Sequence, residues 1–232
     1  MLINPTKIYF WNSSYASVMK QQASWIEKIQ NDQKQSAIMI GSHPHCFTMG
    51  RGMQKRTGGG GEVLSELVPF ESKDIEARYP GWEFHQVARA GGMTFHHLGQ
   101  LVIYPLFNLN ELKISLPKIM FLLFDAVKDT LLSFAPLLRM EVKKEPLGLW
   151  IEGKKVASIG MALDRFVTCH GLALNLEFDS KVKSMLRQEY PCGIPGGQYG
   201  ACEEWEQLKV LPKEEMAELI LLRFLNAIRS QI

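Results

Sequence analysis

Apolar residues along the chain recur at two spacings, and each predicts a different element. After Ser13 and Ser14, either of which can cap a helix, Val18, Trp25, Ile26 and Ile29 return at helical intervals. Leu219, Ile220, Phe224, Ala227 and Ile228 repeat the pattern over 214–229. The most apolar stretch, 119–133, is interrupted by Asp125, Lys128 and Asp129; it is too short and too charged to cross a bilayer and predicts a buried helix. Short β-rich runs bounded by turn residues predict strands at 7–11, 37–40, 85–88, 101–107, 138–142, 149–151, 156–163, 166–168 and 172–176. The run at 37–40 leads into a loop, GSHPH, that continues as CFTMGR. Residues 54–62, QKRTGGGGE, have the composition of a mobile surface loop and lack the Gly-Lys-Ser/Thr ending of a phosphate-binding loop. Pro69, Pro80 and Gly81 punctuate 63–82, which predicts one or two short elements in a long excursion. Helices and strands interleave without internal repeats, so the expected architecture is a single α/β (α+β) domain over 1–232, a mixed β-sheet with flanking helices.

A chain of 232 residues supports one sizeable core. The net charge of +2 is too small an excess to argue for nucleic acid. Arg139, Lys143, Lys144, Lys154, Lys155 and Arg165 lie close in sequence and read as a solvated basic face that would not repel an acidic protein. Cys46, Cys169, Cys192 and Cys202 form no paired framework, and the start MLINPTKIYFW has neither the basic flank nor the long apolar core of a secretion signal. A reducing cytoplasm is therefore expected. One core can consume all the periodic helices, which makes a monomer the default.

The chemistry concentrates in 153–194. Lys154 and Lys155 open an apolar run in which Ala157, Ser158 and Gly160 are small, a costly choice in a strand unless something lies against the backbone. Cys192, between Pro191 and Gly193, sits on a tight turn, and backbone N–H groups near Gly193 or in 158–160 are candidates to face a substrate carbonyl. An ammonium beside a cysteine stabilises the thiolate and can relay a proton, so Lys155 and Cys192 are expected to meet. Arg89, Gly91 and Gly92 would let the backbone approach a ligand closely. His43, His45 and Cys46 invite a metal, but no second ligand pair follows at a recognisable spacing, and none is expected. Adjacent His96 and His97 point to opposite faces of an extended segment, so one of them faces the pocket. The same alternation separates Cys169 from His170, which reads as a hydrogen-bonding post.

The segments CFTMGR, RAGGMTFHHLGQLVIYP, GKKVASIG, HGLALN and PCGI, spanning roughly 47–194, resemble in order and spacing those of the lipoyl(octanoyl) transferases. The resemblance places the family lysine on Lys155 and its nucleophilic cysteine on Cys192. It implies a substrate cradle of Arg89, Ala90, Gly91, Gly92, Met93, Thr94, Phe95 and His96, with Ser158, Ile159, Gly160, Gly171, Leu172 and Ala173. It further implies a fold like that of biotin and lipoate protein ligases and no cofactor. The implied reaction, in lipoate biosynthesis, moves an octanoyl group from acyl carrier protein to a lysine of the lipoyl domains of 2-oxoacid dehydrogenases or of the glycine cleavage H protein, with no nucleic acid or membrane partner. Met93, Leu98, Ile159 and Leu172 are expected to line the acyl pocket. The family usually reads R-G-G-Q-x-T-Y-H-G-P-G-Q where this chain has Ala90, Gly92, Phe95, His97 and Leu98. Ala90 adopts positive φ less cheaply than glycine, and His97 and Leu98 are expected to add bulk beside the pocket, altering chain-length preference and acceptor choice. Two other readings share these motifs. One is an ATP-dependent lipoate-protein ligase, which needs no nucleophilic cysteine; the other is a non-catalytic relative that binds acyl carrier protein or lipoyl domains, against which Lys155 and Cys192 weigh.

Overall fold

The structure, a computed structural model, describes residues 4–52, 76–209 and 212–231. Its main layer is a seven-stranded mixed sheet in the order β1 (Thr6–Phe10), β2 (Ala37–Gly41), β6 (Gln100–Leu106), β10 (Val167–Asn175), β9 (Lys154–Asp164), β8 (Leu147–Ile151), β7 (Met140–Lys144). Only β1 and β2 run parallel; the remaining pairs are antiparallel. A second sheet of three strands, β4 (Glu83–Gln86), β3 (Cys46–Gly52) and β5 (Gly91–His96), stands beside it.

Helices cover both faces of the large sheet, which is why β2 and β6 are apolar at nearly every position instead of alternating. Along β6, Val102, Tyr104 and Leu106 pack with Val18, Ile26 and Ile29 of α1 (Tyr15–Asn31). Leu101 and Ile103 face the opposite way, onto α3 (Leu116–Phe134) and α5 (Lys213–Arg229) through Leu123, Phe124, Val127, Ile220 and Phe224. Ser14 caps α1, its side chain accepting from the Ser17 N–H, and Ser115 caps α3 in the same way from Lys118. The short helices α2 (Leu109–Leu112) and α4 (Ser180–Leu186) flank the sheets. A third core joins the layers: Phe47, Met93 and Phe95 of the small sheet pack with Trp150, Phe178, Met185 and Tyr199.

Several expected boundaries shift, each for a local reason. The runs 166–168 and 172–176 are one strand, β10, paired continuously with β9. The pattern breaks at His170 and Gly171 because a Cβ at 171 would lie 2.0 Å from the Ile103 oxygen, so only glycine fits where β10 crosses β6. CFTMGR is strand β3, paired on both sides, and not the continuation of a loop. The strand expected at 85–88 ends at Gln86; the Val87 N–H still donates to the Met49 oxygen, and the chain then bends into the Arg89 loop. Strand β7 starts two residues later than expected and extends through Lys143 and Lys144, polar residues suited to the sheet's edge. The glycine run at 54–62 and the first part of the 63–82 excursion lie outside the described residues; a helical turn is present at 76–78.

Candidate active site

Cys192 sits on a 3₁₀ turn, Pro191–Gly193, directly before the chain packs into the third core through Ile194. Its φ of 53° is left-handed, a conformation that costs a non-glycine residue about 1–3 kcal/mol and persists only where the surroundings impose it. The surroundings are visible. The Gly193 N–H donates to the Tyr190 oxygen (2.9 Å), Ile194 to Pro191 (3.1 Å), and the Tyr199 hydroxyl to the Pro191 oxygen (2.8 Å). The cysteine Sγ donates to the Met93 carbonyl at 3.0 Å and lies 3.9 Å from Thr94 Oγ1. The Gly193 N–H is thus consumed by the turn, which leaves 158–160 of the two segments the sequence offered as oxyanion donors.

Lys155, near the start of β9, is 3 % exposed. It pairs with Trp150 across the strand, and its carbonyl accepts from the Gly200 N–H (3.0 Å). Its aliphatic stem crosses Gly148, where a Cβ would lie only 2.5 Å from Lys155 Cε. The Nζ lies 5.8 Å from the ring centre of Tyr199, whose hydroxyl holds the Pro191–Gly193 turn. Burial pulls the Lys155 ammonium below its ordinary value, and the negative charge of a Cys192 thiolate opposes that shift. Tyr199 thus links the two regions, its ring facing Lys155 Nζ and its hydroxyl holding the residue before Cys192. Lys154 instead points outward and pairs with Glu204.

The opposite wall comes from the Arg89 loop and β5. Arg89 is 6 % exposed, and its guanidinium donates to the Thr48 carbonyl (2.8 Å), to Thr48 Oγ1 (2.7 Å), and to the carbonyls of Ala90 (3.0 Å) and Gly92 (3.1 Å). The positive φ in this loop falls on Gly91 (85°), so Ala90 bears no left-handed strain. Along β5 the alternation divides the predicted cradle. Thr94 and His96 face the cavity, while Met93 and Phe95 enter the third core, and Gly92 lies over Cys192, a Cβ there falling 3.8 Å from its Cα.

A cavity of about 340 Å³, including its open mouth, adjoins the Arg89 loop and β5, and neither Lys155 nor Cys192 lines it. Arg89, Thr94 and His96 line one side; Ser158, Ile159, Gly160, His170, Gly171, Leu172 and Ala173 line the other. Ala90, Gly91, Gly92, Met93 and Phe95 shape the Arg89 loop and the surroundings of Cys192 without lining it. Of the four residues expected to hold the acyl chain, Ile159 and Leu172 do line the cavity, whereas Met93 is packed in the core and Leu98 is 39 % exposed. His97 adds no bulk to the cavity either: it stacks on Phe95 (5.7 Å) and packs on Phe178 (5.5 Å).

Two lining residues escaped sequence reading, Tyr15 and Tyr104. Each occupies an apolar position of a regular element, and nothing in its spacing separates it from core. Their hydroxyls find histidine partners: Tyr15 Oη lies 3.4 Å from His170 Nδ1, and Tyr104 Oη 3.0 Å from His43 Nε2. His170 is the hydrogen-bonding post expected of it. Burial lowers His43 and His170 to about 4, and His96 well below the usual imidazole range, so these imidazoles are uncharged at neutral pH, beside the Arg89 guanidinium. His43, His45 and Cys46 diverge, His43 Nδ1 toward the Ser13 carbonyl (2.9 Å) and His45 toward Asp179 (2.7 Å). Among the described residues no group of three or more His, Cys, Asp or Glu could hold a metal ion. The basic run also disperses, Lys143 pairing with Glu141, Lys154 with Glu204 and Arg165 with Asp164.

The fold is that of a lipoate protein ligase. The structure of lipoate-protein ligase A bound with ATP superposes with a TM-score of 0.69 at 12% identity, covering 98% of this chain and 86% of that one. A lipoate protein ligase from T. acidophilum with bound lipoic acid gives 0.66 at 11%, covering 98% and 87%. Residues 14–198 match the lipoyl protein ligase A/B catalytic domain family, to which the chain belongs, as one of its acyltransferases. Among curated relatives, the octanoyltransferase of Bacteroides thetaiotaomicron is 31% identical over 98% of both chains. That of Prochlorococcus marinus (strain MIT 9313) is 30% identical over 85% of this chain and 72% of its own. No helix among the described residues is long and apolar enough to cross a membrane.

Proposed function

We propose that this chain is a single catalytic unit that transfers an octanoyl group from acyl carrier protein to a lysine of lipoyl domains, through a thioester on Cys192. The observation that carries the reading is the burial of Lys155 against Tyr199, whose hydroxyl holds the turn of Cys192, the one cysteine of the four that is not buried. Burial disfavours the Lys155 cation, so its amine takes the thiol proton, and the new thiolate in turn stabilises the ammonium. The thiolate attacks the carrier thioester; the carbon–sulfur bond to the carrier breaks as the bond to Cys192 forms, and the leaving thiolate takes the proton from Lys155. The acceptor lysine amine then attacks the acyl-enzyme, gives its proton to Lys155, and expels the Cys192 thiolate as the amide forms. A thioester yields a more stable amide, so no ATP is consumed.

The last pairing of β9 with β8 is at Ala157, so β9 from Ser158 onward is bonded only on its β10 side. Outward amides of 158–160, at the cavity wall, remain as oxyanion donors once Gly193 is excluded. Ile159 and Leu172 give the acyl chain apolar contact, worth about 0.8 kcal/mol per buried methylene. The unit acts as a monomer in the cytoplasm, and its acceptors are the lipoyl domains of 2-oxoacid dehydrogenases or the glycine cleavage H protein. Incubation with octanoyl-carrier and intact-mass measurement tests the reading: an octanoyl adduct is expected on the wild type and absent from Cys192→Ser. An adduct at wild-type level on the serine variant would remove Cys192 from the chemistry. Transfer that requires ATP would instead favour the ligase reading, which the solved structures of the same fold raise.

A further inference from the structure

The nucleophile turn has a second anchor, upstream of Cys192, that the reaction as written does not use. Glu189 follows α4, its N–H donating to the Met185 oxygen (3.0 Å), and its side chain is only 8 % exposed. A carboxylate so buried is costly unless its charge is paired. Two side chains from the segment entering the small sheet meet it on one oxygen, Arg78 Nη1 at 2.5 Å from Glu189 Oε1 and the Tyr79 hydroxyl at 2.9 Å. Tyr79 is itself fixed against Phe47 (5.3 Å) and Trp82 (5.5 Å).

Between this clamp and the cysteine stand only Tyr190, which is 64 % exposed, and Pro191, whose carbonyl is held by Tyr199. The chain entering the turn is therefore gripped twice by side chains, at Glu189 and at Pro191, with a solvent-facing residue between them, and on the far side of Cys192 the buried Ile194 donates back to the Pro191 oxygen. Cys192 must keep a φ of 53° between Pro191 and Ile194, and a non-glycine residue relaxes from that conformation when its neighbours move.

We propose that Glu189, clamped by Arg78 and Tyr79, is a positioning residue that holds the nucleophile turn, keeping Cys192 in its left-handed conformation with the sulfur against Met93 and Thr94. The inference rests on Cys192 being the nucleophile. It assigns Glu189 no contact with substrate; the carboxylate acts through the backbone of the turn. The test uses the full chain and the variants Glu189→Gln, Arg78→Met, Arg78→Lys and Tyr79→Phe. Three quantities are read: single-turnover octanoyl-adduct formation by intact mass, the pH profile of iodoacetamide alkylation at Cys192, and the thermal midpoint.

Glu189→Gln is expected to slow adduct formation about ten- to a hundredfold, the scale set by a displacement of about an ångström at a reacting atom, and to move the alkylation profile while KM for the carrier stays put. Arg78→Lys should retain most of the rate that Arg78→Met loses, and the double variant Arg78→Met/Glu189→Gln should be no slower than Glu189→Gln alone. Adduct and alkylation rates within twofold of wild type in folded Glu189→Gln, with only the thermal midpoint lowered, would reduce the clamp to a structural role and overturn the proposal. If Glu189→Gln does not fold, Tyr79→Phe and Arg78→Met decide it: unchanged alkylation in both overturns the proposal, and slowing in both supports it. A wild type that forms no adduct at all would sink the acyl-enzyme reading, while the alkylation profiles would still decide whether Glu189 holds the turn.

Discussion

Gly148 belongs to none of the sequence motifs, yet a single methyl there should disable the site. Its φ is not left-handed, so alanine is conformationally admissible and the effect is steric. The added Cβ would fall 2.5 Å from Lys155 Cε and 2.7 Å from the Ala157 oxygen. Carbon atoms rest about 3.5–4.0 Å apart, so the lysine stem must move by about 1 Å or more. The Ala157 oxygen belongs to the β8–β9 ladder and yields less readily, which pushes most of the displacement onto the side chain. A misplacement of that size costs about a hundredfold in rate, and the overpacking itself costs about 1–3 kcal/mol of stability. Single-turnover acylation by octanoyl-carrier, with urea unfolding in parallel, measures both. The expected outcome is an acylation rate about a hundredfold lower in folded protein, with KM for the carrier little changed. Adding Lys155→Met to Gly148→Ala should then cost little more, because the lysine is already displaced. Acylation within about threefold of wild type would refute the route of Lys155 across Gly148, and with it the idea that a fixed lysine stem matters.

Lys155→Ala should abolish acylation, whereas Lys154→Ala, which removes only an exposed ion pair with Glu204, should leave the rate unchanged and stability within about 0.5 kcal/mol; the same adduct assay compares them. Gly92→Ala places its Cβ 3.8 Å from Cys192 Cα, an ordinary contact, and should fold normally, whereas Gly171→Ala would set a Cβ 2.0 Å from the Ile103 oxygen and should yield little folded protein, as circular dichroism would show. The buried histidines make the fold acid-labile. His43, His97 and His170 are each lowered from 6.5 to about 4, so between those values the unfolded chain binds more protons and stability falls as the pH drops. From pH 7 to pH 5 each costs about 2 kcal/mol, about 5 to 6 together. Urea midpoints at the two pH values measure the loss, which His97→Leu should cut by about a third; equal midpoints for the wild type would contradict it.

The layered architecture and the tight turn at Cys192 were legible because both are written locally. Helical spacing marks α1, α3 and α5, and the proline and glycine around Cys192 announce its turn. Choosing Lys155 over Lys154 followed from the resemblance; the physical reason, one residue buried over Gly148 and the other paired with Glu204, is visible only in the sheet. What could not be read depends on neighbours distant in sequence. His97 and Leu98 sit beside the cradle in the chain, yet one is taken by Phe95 and Phe178 and the other by solvent. Tyr15 and Tyr104 reach the cavity from α1 and β6 because those elements pack there, and no pattern within either element records it. Strand β10 read as two pieces because the glycine that breaks its apolar pattern answers to a carbonyl on β6.

The nucleophile turn has a consequence for when the thiol becomes dangerous. Its geometry depends on Tyr199, on the Met93 carbonyl about a hundred residues upstream (|i−j| = 99) and on Lys155 from a different strand, contacts that loop-closure entropy makes late to form. Until they form, Cys192 is one thiol among four in a flexible chain. In the folded chain the other three are buried, with burial raising Cys169 to about 11 and Cys202 to about 12, so Cys192 is the one thiol of the four left open to solvent. A thiol-directed electrophile that modifies more than one cysteine therefore reports on chains that have not finished folding.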